Sequence, residues 1–422
     1  MVQEDRGTQA AGHGSLVGAG APTIPASDWR AVWVVFAAGL AAGAYMSKVP
    51  PALPALRADL GLTLVESGFV HTVMYAIGAA AGVFAGALAD RFGQKRFALI
   101  GLCFMLLGGL LGATSHEYPL LLSSRFLEGL GFLLLVIAAA PLLVAATLPR
   151  DRPTAFSIWS CYMPTGGTLI LLLAPLALAT LGWRSLWIGL TVYTAVCALL
   201  VAKCVPAPSF GGQIGSLALL RESLTRPGTL LLCLAFICYV GQWISVMTWL
   251  PTFVVGERGA SQTAASLLTA LFVAVNIPGN LLGGLTLKRR VPRWLVMALG
   301  AAAMGLTSIG LLGSEVPDAI RLVSLIAFSL LGGLIPVGVF SGTPVHARSP
   351  QHVGTTNGMV MQASHLSQFV IPIVIAWVAT RTGGWGASLG VMLLLSLVGI
   401  LAAFALAPYE RAIRALTPIS RR

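Results

Sequence analysis

Roughly twelve stretches of about 20 apolar residues, separated by short clusters of proline, glycine and charge, run from Trp29 almost to the end of this chain. Helices of about 20 residues rise about 30 Å and satisfy every backbone hydrogen bond internally, so such a stretch can cross a bilayer. The stretches begin near Trp29, Ser67, Phe97, Tyr118, Thr154, Trp183, Gly228, Thr263, Trp294, Ile320, Thr355 and Gly386. Hydrophobic residues make up 57% of the 422 and charged ones 9%, too few to solvate the surface of a water-soluble fold. The solvent of this chain is therefore lipid, and the predicted fold class is an all-α membrane protein with twelve transmembrane helices.

The net charge of +12 does not point to nucleic acid, because the cations sit in short clusters between apolar runs rather than on a basic helix or an aromatic-interleaved patch. Counted from a cytoplasmic N-terminus, the inner loops hold Arg91, Lys95, Arg96, Arg150, Arg152, Lys203, Arg221, Arg226, Lys288, Arg289, Arg290, Arg293, Arg348 and the tail from Arg411 to Arg422. The outer loops hold scattered Arg57, Arg184, Arg258, Arg321 and Arg381. Positive loops stay inside, so both termini are expected in the cytoplasm of a bacterial-type inner membrane. Residues 1–28 lack a basic start and a short apolar core and read as a disordered cytoplasmic tail rather than a cleaved signal. The six cysteines fall within or beside apolar runs without a CxxC pair or a histidine cluster, so neither disulfides nor a metal site is expected.

The two halves repeat. One gapless shift lays Leu53-Pro54 on Leu250-Pro251, Gly82 on Gly279, Gly86 on Gly283 and Leu88 on Leu285. A slightly longer shift lays Thr154 on Thr356 and Gly182-Trp183 on Gly384-Trp385. Two pseudo-symmetric six-helix bundles follow, over 29–205 and 228–408, with a cytoplasmic linker over 206–227 and a tail over 409–422. Gly78, Gly82 and Gly86, four apart, form a smooth stripe on the second helix, as Gly279 and Gly283 do on its counterpart, and such stripes let helix backbones approach.

Between the second and third runs lies Gly86-Ala-Leu-Ala-Asp90-Arg91-Phe-Gly93-Gln-Lys95-Arg96. An acidic residue closes a helix, Gly93 permits a tight reversal, and the cations favour the cytoplasmic surface. This loop resembles the signature of the major facilitator superfamily of secondary transporters. The resemblance covers nearly the whole chain and implies the major facilitator fold, with alternating access between two rocking bundles. It makes Gly86, Asp90, Arg91 and Gly93 gating residues. The second copy is degenerate, with Leu287-Lys288 opposite Asp90-Arg91. A carboxylate favours the positive end of a facing helix, so Asp90 is expected to latch the inner gate against the start of the eleventh helix near Thr355 to Asn357. The alternative is a solvated turn residue.

In the fourth run, Arg125-Phe-Leu-Glu128-Gly129-Leu-Gly131 resembles the superfamily's second motif. Arg125 lies about 10 Å and Glu128 about 15 Å below a helix start near Tyr118, both within the hydrocarbon, where an unpaired charge costs several kcal/mol. Three residues apart, they can pair with each other. Glu128 either carries a coupling proton or forms a static pair with Arg125. Lys48, at the outer end of the first helix before Pro50-Pro51, either joins Arg125 at an outward cavity, favouring an anion, or snorkels to the surface. The repeat puts Ser245 opposite Lys48 and Ala327 opposite Arg125, so both cations belong to the first half. Tyr45, Tyr239, Gln242 and Trp243 are further substrate-contact candidates. The last three share a face of the seventh helix, which lines the central cavity in the superfamily. Asn276, Asn280, Gln362, His365 and Gln368 also lie at membrane depth and serve either substrate or helix packing.

The fifth helix reads Met163-Pro164-Thr-Gly166-Gly167, short of the Gly-Pro motif of drug–proton antiporters, and Pro51-Ala-Leu-Pro54-Ala-Leu-Arg57, Leu121-Leu-Ser-Ser-Arg125 and Asn276-Ile-Pro278-Gly279 resemble the cyanate-permease branch. The leading expectation is a monomeric carrier that imports a small organic or inorganic anion with a proton and needs no cofactor. The alternatives are a proton-driven exporter of a drug or metabolite and a non-transporting membrane sensor or scaffold. An enzyme is not expected, since no nucleophile constellation, metal cluster or nucleotide loop is visible.

Overall fold

The computed structural model describes residues 26–207 and 225–416. Most of the predicted N-terminal tail, the middle of the predicted linker, including Arg221, and the residues past 416 lie outside them. Among the described residues the chain is helical without strands, and twelve helical segments are long and apolar enough to cross a membrane. Helices α1 (Trp29–Ser47), α2 (Val49–Leu60), α3 (Leu64–Phe92), α4 (Gln94–Ala113), α5 (Tyr118–Ala146), α6 (Arg152–Ser160), α7 (Tyr162–Leu181) and α8 (Arg184–Cys204) build the first bundle. The second contains α9 (Pro227–Arg258), α10 (Gln262–Lys288), α11 (Arg293–Leu312), α12 (Asp318–Gly332), α13 (Leu334–His346), α14 (Val353–Thr382) and α15 (Ser388–Leu416). The last helix continues past residue 408, where the sequence suggested a tail.

Local chemistry sets the boundaries. The Asp28 side chain caps α1 by accepting from Ala31 N at 3.0 Å, and Thr63 and Glu66 form a reciprocal capping box on α3. Pro50 and Pro51 lack the N–H groups that would bond Met46 and Ser47, so the first span bends into α2 at Lys48. Pro164 and Pro336 likewise divide the fifth and tenth spans into α6–α7 and α12–α13. Gly93 has φ 97°, a conformation other residues resist, which turns α3 directly into α4.

Burial sorts the spans into centre and rim. The windows of spans 1, 4, 7 and 10 are 72, 89, 72 and 61% buried, whereas those of spans 6 and 12 are 33% buried. Outward faces of the helices carry exposed Leu172, Leu176, Leu199, Leu306, Leu394 and Phe404, side chains whose natural neighbour is an acyl chain.

The glycine stripes serve different contacts in the two halves. On α3 the stripe joins the bundles: a Cβ on Gly78 would lie 2.5 Å from the His365 ring, one on Gly82 2.8 Å from Gly358 O, and one on Gly86 2.5 Å from Gly354 O. Gly279 of α10 instead meets α12 within its own half, and a Cβ there would overlap the Leu330 carbonyl oxygen. That neighbour is backbone and cannot swing aside. Gly279→Ala is therefore expected to cost about 1–3 kcal/mol, read as a lower thermal midpoint of the detergent-purified protein. An unchanged midpoint would contradict the packing.

Candidate functional site

A cavity of about 600 Å³, its open mouth included, lies between the halves. Met46 of α1, Phe132 of α5, Tyr162 and Met163 of α7, Phe236, Tyr239 and Trp243 of α9, Phe340 of α13 and His365 and Gln368 of α14 line it. Its wall is aromatic rings, thioethers and uncharged polar groups, and no Asp, Glu, Lys or Arg is among the lining residues. The rings are held from behind: Trp243 Nε1 donates to Ser329 Oγ at 3.1 Å, and Trp159 stacks on Tyr162 at 4.4 Å between centroids. Tyr239 and Trp243 thus reach the cavity as their helical face suggests. Gln242 does not; its Oε1 accepts from Ser396 Oγ at 3.0 Å, tying α9 to α15.

The charged candidates of the first half lie behind this wall. Lys48, Arg125 and Glu128 are all 0% exposed. Lys48 Nζ lies 2.7 Å from Glu128 Oε1, and the Arg125 guanidinium pairs with Glu128 Oε2. Arg125 also donates to Val70 O and Tyr45 O, each at 3.1 Å, while Lys48 Nζ sits 4.1 Å above both the Tyr45 and Trp187 rings. Tyr45 itself donates to Met105 O at 3.2 Å and faces this cluster rather than the cavity. Lys48 neither snorkels nor lines an outward opening. The bend after Ser47 turns it inward, where the acid of α5 neutralises it. Gly108 of α4 leaves the room: a Cβ there would lie 2.7 Å from Glu128 Cγ. Two cations and one anion make the sealed cluster formally +1.

At one end of the molecule the halves are clamped along α3 and α14. Asp90 Oδ1 accepts from Gly354 N at 2.9 Å, and Oδ2 accepts from Thr355 N and Thr355 Oγ1, both at 2.6 Å. These N–H groups belong to the first turn of α14, which has no intrahelical acceptor for them, so a carboxylate of one half caps a helix of the other. Gln94 Nε2 donates to Asp90 Oδ1 at 2.7 Å and steadies the carboxylate. Further along the seam, Gln362 accepts from Val83 N at 3.1 Å and donates to Ala79 O at 2.9 Å, while Asn357 donates to Val136 O at 2.9 Å. Arg91 is exposed, its guanidinium 5.0 Å from the Phe92 ring centroid.

Twelve spans in two halves, a central cavity and a clamp on the α3–α4 loop form one architecture, and comparison with known proteins agrees. Residues 31–348 and 231–420 match the Major Facilitator Superfamily. The chain belongs to that superfamily. It is a family of membrane transporters, not of enzymes. The chain is 29% identical over 237 residues to the 3-(3-hydroxy-phenyl)propionate transporter of Escherichia coli (strain K12), covering 54% of this chain and 58% of that protein. To the cis,cis-muconate transport protein of Acinetobacter baylyi (strain ATCC 33305 / BD413 / ADP1) it is 25% identical over 378 residues, 85% of this chain and 89% of that one. Among solved structures, a Major Facilitator Superfamily transporter, FucP, in the outward conformation superposes with a TM-score of 0.75 at 16% identity, covering 89% of this chain and 98% of that chain.

One polar cluster of this superfamily member escaped sequence reasoning. Arg293 at the start of α11 pairs with Glu410 of α15, and His346 Nε2 lies 3.5 Å from the same carboxylate. Glu410 is only 3% exposed, although it reads as the first acid of a tail. Its place after Pro408, near the end of an apolar run, was the available signal, and the partner 117 residues away gave none.

Proposed function

We propose that this protein is a secondary active carrier that moves a small organic acid, as its anion, across a bacterial inner membrane by alternating access. The cavity between the halves carries the reading, because its aromatic wall suits a flat or unsaturated carbon skeleton. The buried +1 cluster behind α1 adds a positive potential in a low-dielectric setting, which favours an anion over its neutral analogue. The names of the relatives, transporters of an aromatic propionate and of muconate, are in keeping with that chemistry. Loop cations concentrate at the Asp90 end, so this end faces the cytoplasm and both termini lie there. The clamped α3–α14 seam is then a closed inner gate, and transport requires it to part.

Glu128 is held by a cation on each oxygen, an arrangement suited to an ionised anchor that keeps the first bundle rigid. A proton for coupling is better sought in the cavity itself.

The test is uptake into proteoliposomes of labelled 3-(3-hydroxyphenyl)propionate, competed by cis,cis-muconate and by the neutral amide of the first acid. Saturable uptake, with competition by the acids and weak competition by the amide, is the expected result. Indifference to every organic acid tried would remove the reading. Trp243→Ala should weaken apparent affinity about tenfold, since a lost aromatic wall is worth about 1.4 kcal/mol of binding. An unaltered half-saturation concentration would take Trp243 out of the binding surface.

A further inference from the structure

His365 occupies the middle of the α3–α14 seam and the wall of the cavity at once. Its Nδ1 lies 2.7 Å from Met361 O, which can only accept, so Nδ1 carries a hydrogen and donates it. The tautomer is thereby assigned by the acceptor, and in the neutral ring Nε2 is left with a lone pair. That atom is buried and has no hydrogen-bond partner. One turn along the same face, Gln368 Oε1 is likewise buried without a partner, its Nε2 donating to Ser364 Oγ at 3.2 Å. Two unsatisfied polar atoms on residues of a cavity wall that has no charged side chain are costly unless a ligand or water completes them.

The ring is fixed in place. It rests on Gly78, where no Cβ could stand, packs edge-on against Phe132 at 5.6 Å, and lies 6.1 Å from the Tyr75 ring of α3. The titratable groups on neighbouring elements are Tyr75 and His71 of α3, with Tyr162 of α7 and Tyr239 of α9 sharing the cavity wall. On α5, whose Phe132 packs on the ring, Arg125 is bound to Val70 O and Met74 Sδ of α3 and is paired with Glu128, which also holds Lys48. No carboxylate lines the cavity, so nothing on the wall competes for a protonated imidazole.

We infer that His365 Nε2 is both the docking point for the substrate carboxylate and the site that carries the coupled proton, with Gln368 completing the polar end of the cavity. This rests on the organic-acid reading above and adds to it a place for the proton. The acid can arrive as the carboxylic acid and hand its O–H proton to the Nε2 lone pair, or a proton from water can reach Nε2 first and attract the carboxylate. Either order yields one imidazolium–carboxylate pair, with Nδ1–H still on Met361 O. The pair is neutral, and its release on the far side delivers the anion and the proton together. The imidazole sits against Gly78 of the opposite half, so occupancy of Nε2 is sensed at the seam that must part.

The experiment compares wild-type protein, His365→Gln and His365→Asn in detergent. Binding of 3-(3-hydroxyphenyl)propionate and of its neutral amide is followed by tryptophan fluorescence across pH, with proton uptake measured in weak buffer. Wild type should bind the acid more weakly as pH rises, approaching a tenfold loss per unit above the imidazole's titration, and take up close to one proton per bound acid. Amide binding should be flat with pH. Both variants should lose the pH slope and the proton uptake for the acid, and elution of each as a single monodisperse peak, like wild type, shows that the fold is intact. A variant that keeps slope and uptake would overturn the role of His365. Failure of wild type to bind either compound would instead bring down the organic-acid reading itself.

Discussion

Replacing Glu128 by Gln should be among the most damaging single changes in this protein, lowering its thermal midpoint by on the order of 10 °C. The carboxylate answers two fully buried cations, Lys48 and Arg125, and the amide would leave both without a counter-charge in an apolar interior. Stranding buried charge in this way costs on the order of 3–5 kcal/mol. Lys48→Met is the informative contrast. It removes one cation and leaves Arg125 and Glu128 as a neutral pair, so its main cost is the donor lost from Glu128 Oε1, about 1–3 kcal/mol. The double variant Lys48→Met/Glu128→Gln should recover part of the stability that Glu128→Gln loses, because one stranded cation remains instead of two. Differential scanning of the four proteins decides the matter. A Lys48→Met protein less stable than Glu128→Gln would show that the cluster is not organised around its acid.

The second large effect is expected at the α3–α14 seam, the proposed inner gate. Asp90→Asn preserves shape but turns an NH2 toward Thr355 in place of the accepting Oδ2, so donor faces donor at Thr355 N–H, and the Thr355 hydroxyl, left to turn and accept, loses its charge-assisted bond as well. Such bonds contribute about 1.5–3 kcal/mol each, and a net loss of about 3 kcal/mol shifts the closed-to-open ratio roughly a hundredfold. Spin labels at exposed Phe92 on α3 and Val345 on α13 should show one short separation in the parent protein and a second, longer population in the variant. Identical distance distributions in the two proteins would show that the carboxylate does not hold the seam. The opposite manipulation sharpens the test: Gly86→Leu would place a side chain against Gly354 O and should force the same opening without touching the charge.

Legibility in the sequence varied with the range of the interaction. Asp90 and the helix start at Thr355 were legible together because a motif fixes the first, and the free N–H groups of any helix start attract the carboxylate of the loop that faces it. The Arg125–Glu128 pair was legible because three residues on a helix are neighbours. Lys48 was not, since its partner is 80 residues away and the choice between surface, cavity and interior depends on how far α1 turns at Pro50 and Pro51. Tyr239, Gln242 and Trp243 share one face in the sequence, yet the structure sends two toward the cavity and one toward Ser396.

Local composition therefore determined that this chain lives in lipid, crosses it twelve times, repeats itself once and reverses at a glycine turn, because each of these depends on residues near one another or on totals. Which polar group faces the cavity, which faces a counter-charge and which stitches two helices was decided only when the bundles packed. In water an apolar stripe betrays the buried face of a helix, but in a bilayer the outer face is apolar as well, so the periodicity that would orient each helix is erased. The rotation of α9 and α14, and with it the exposure of Trp243 and His365 to a shared cavity, is a property of the assembled fold.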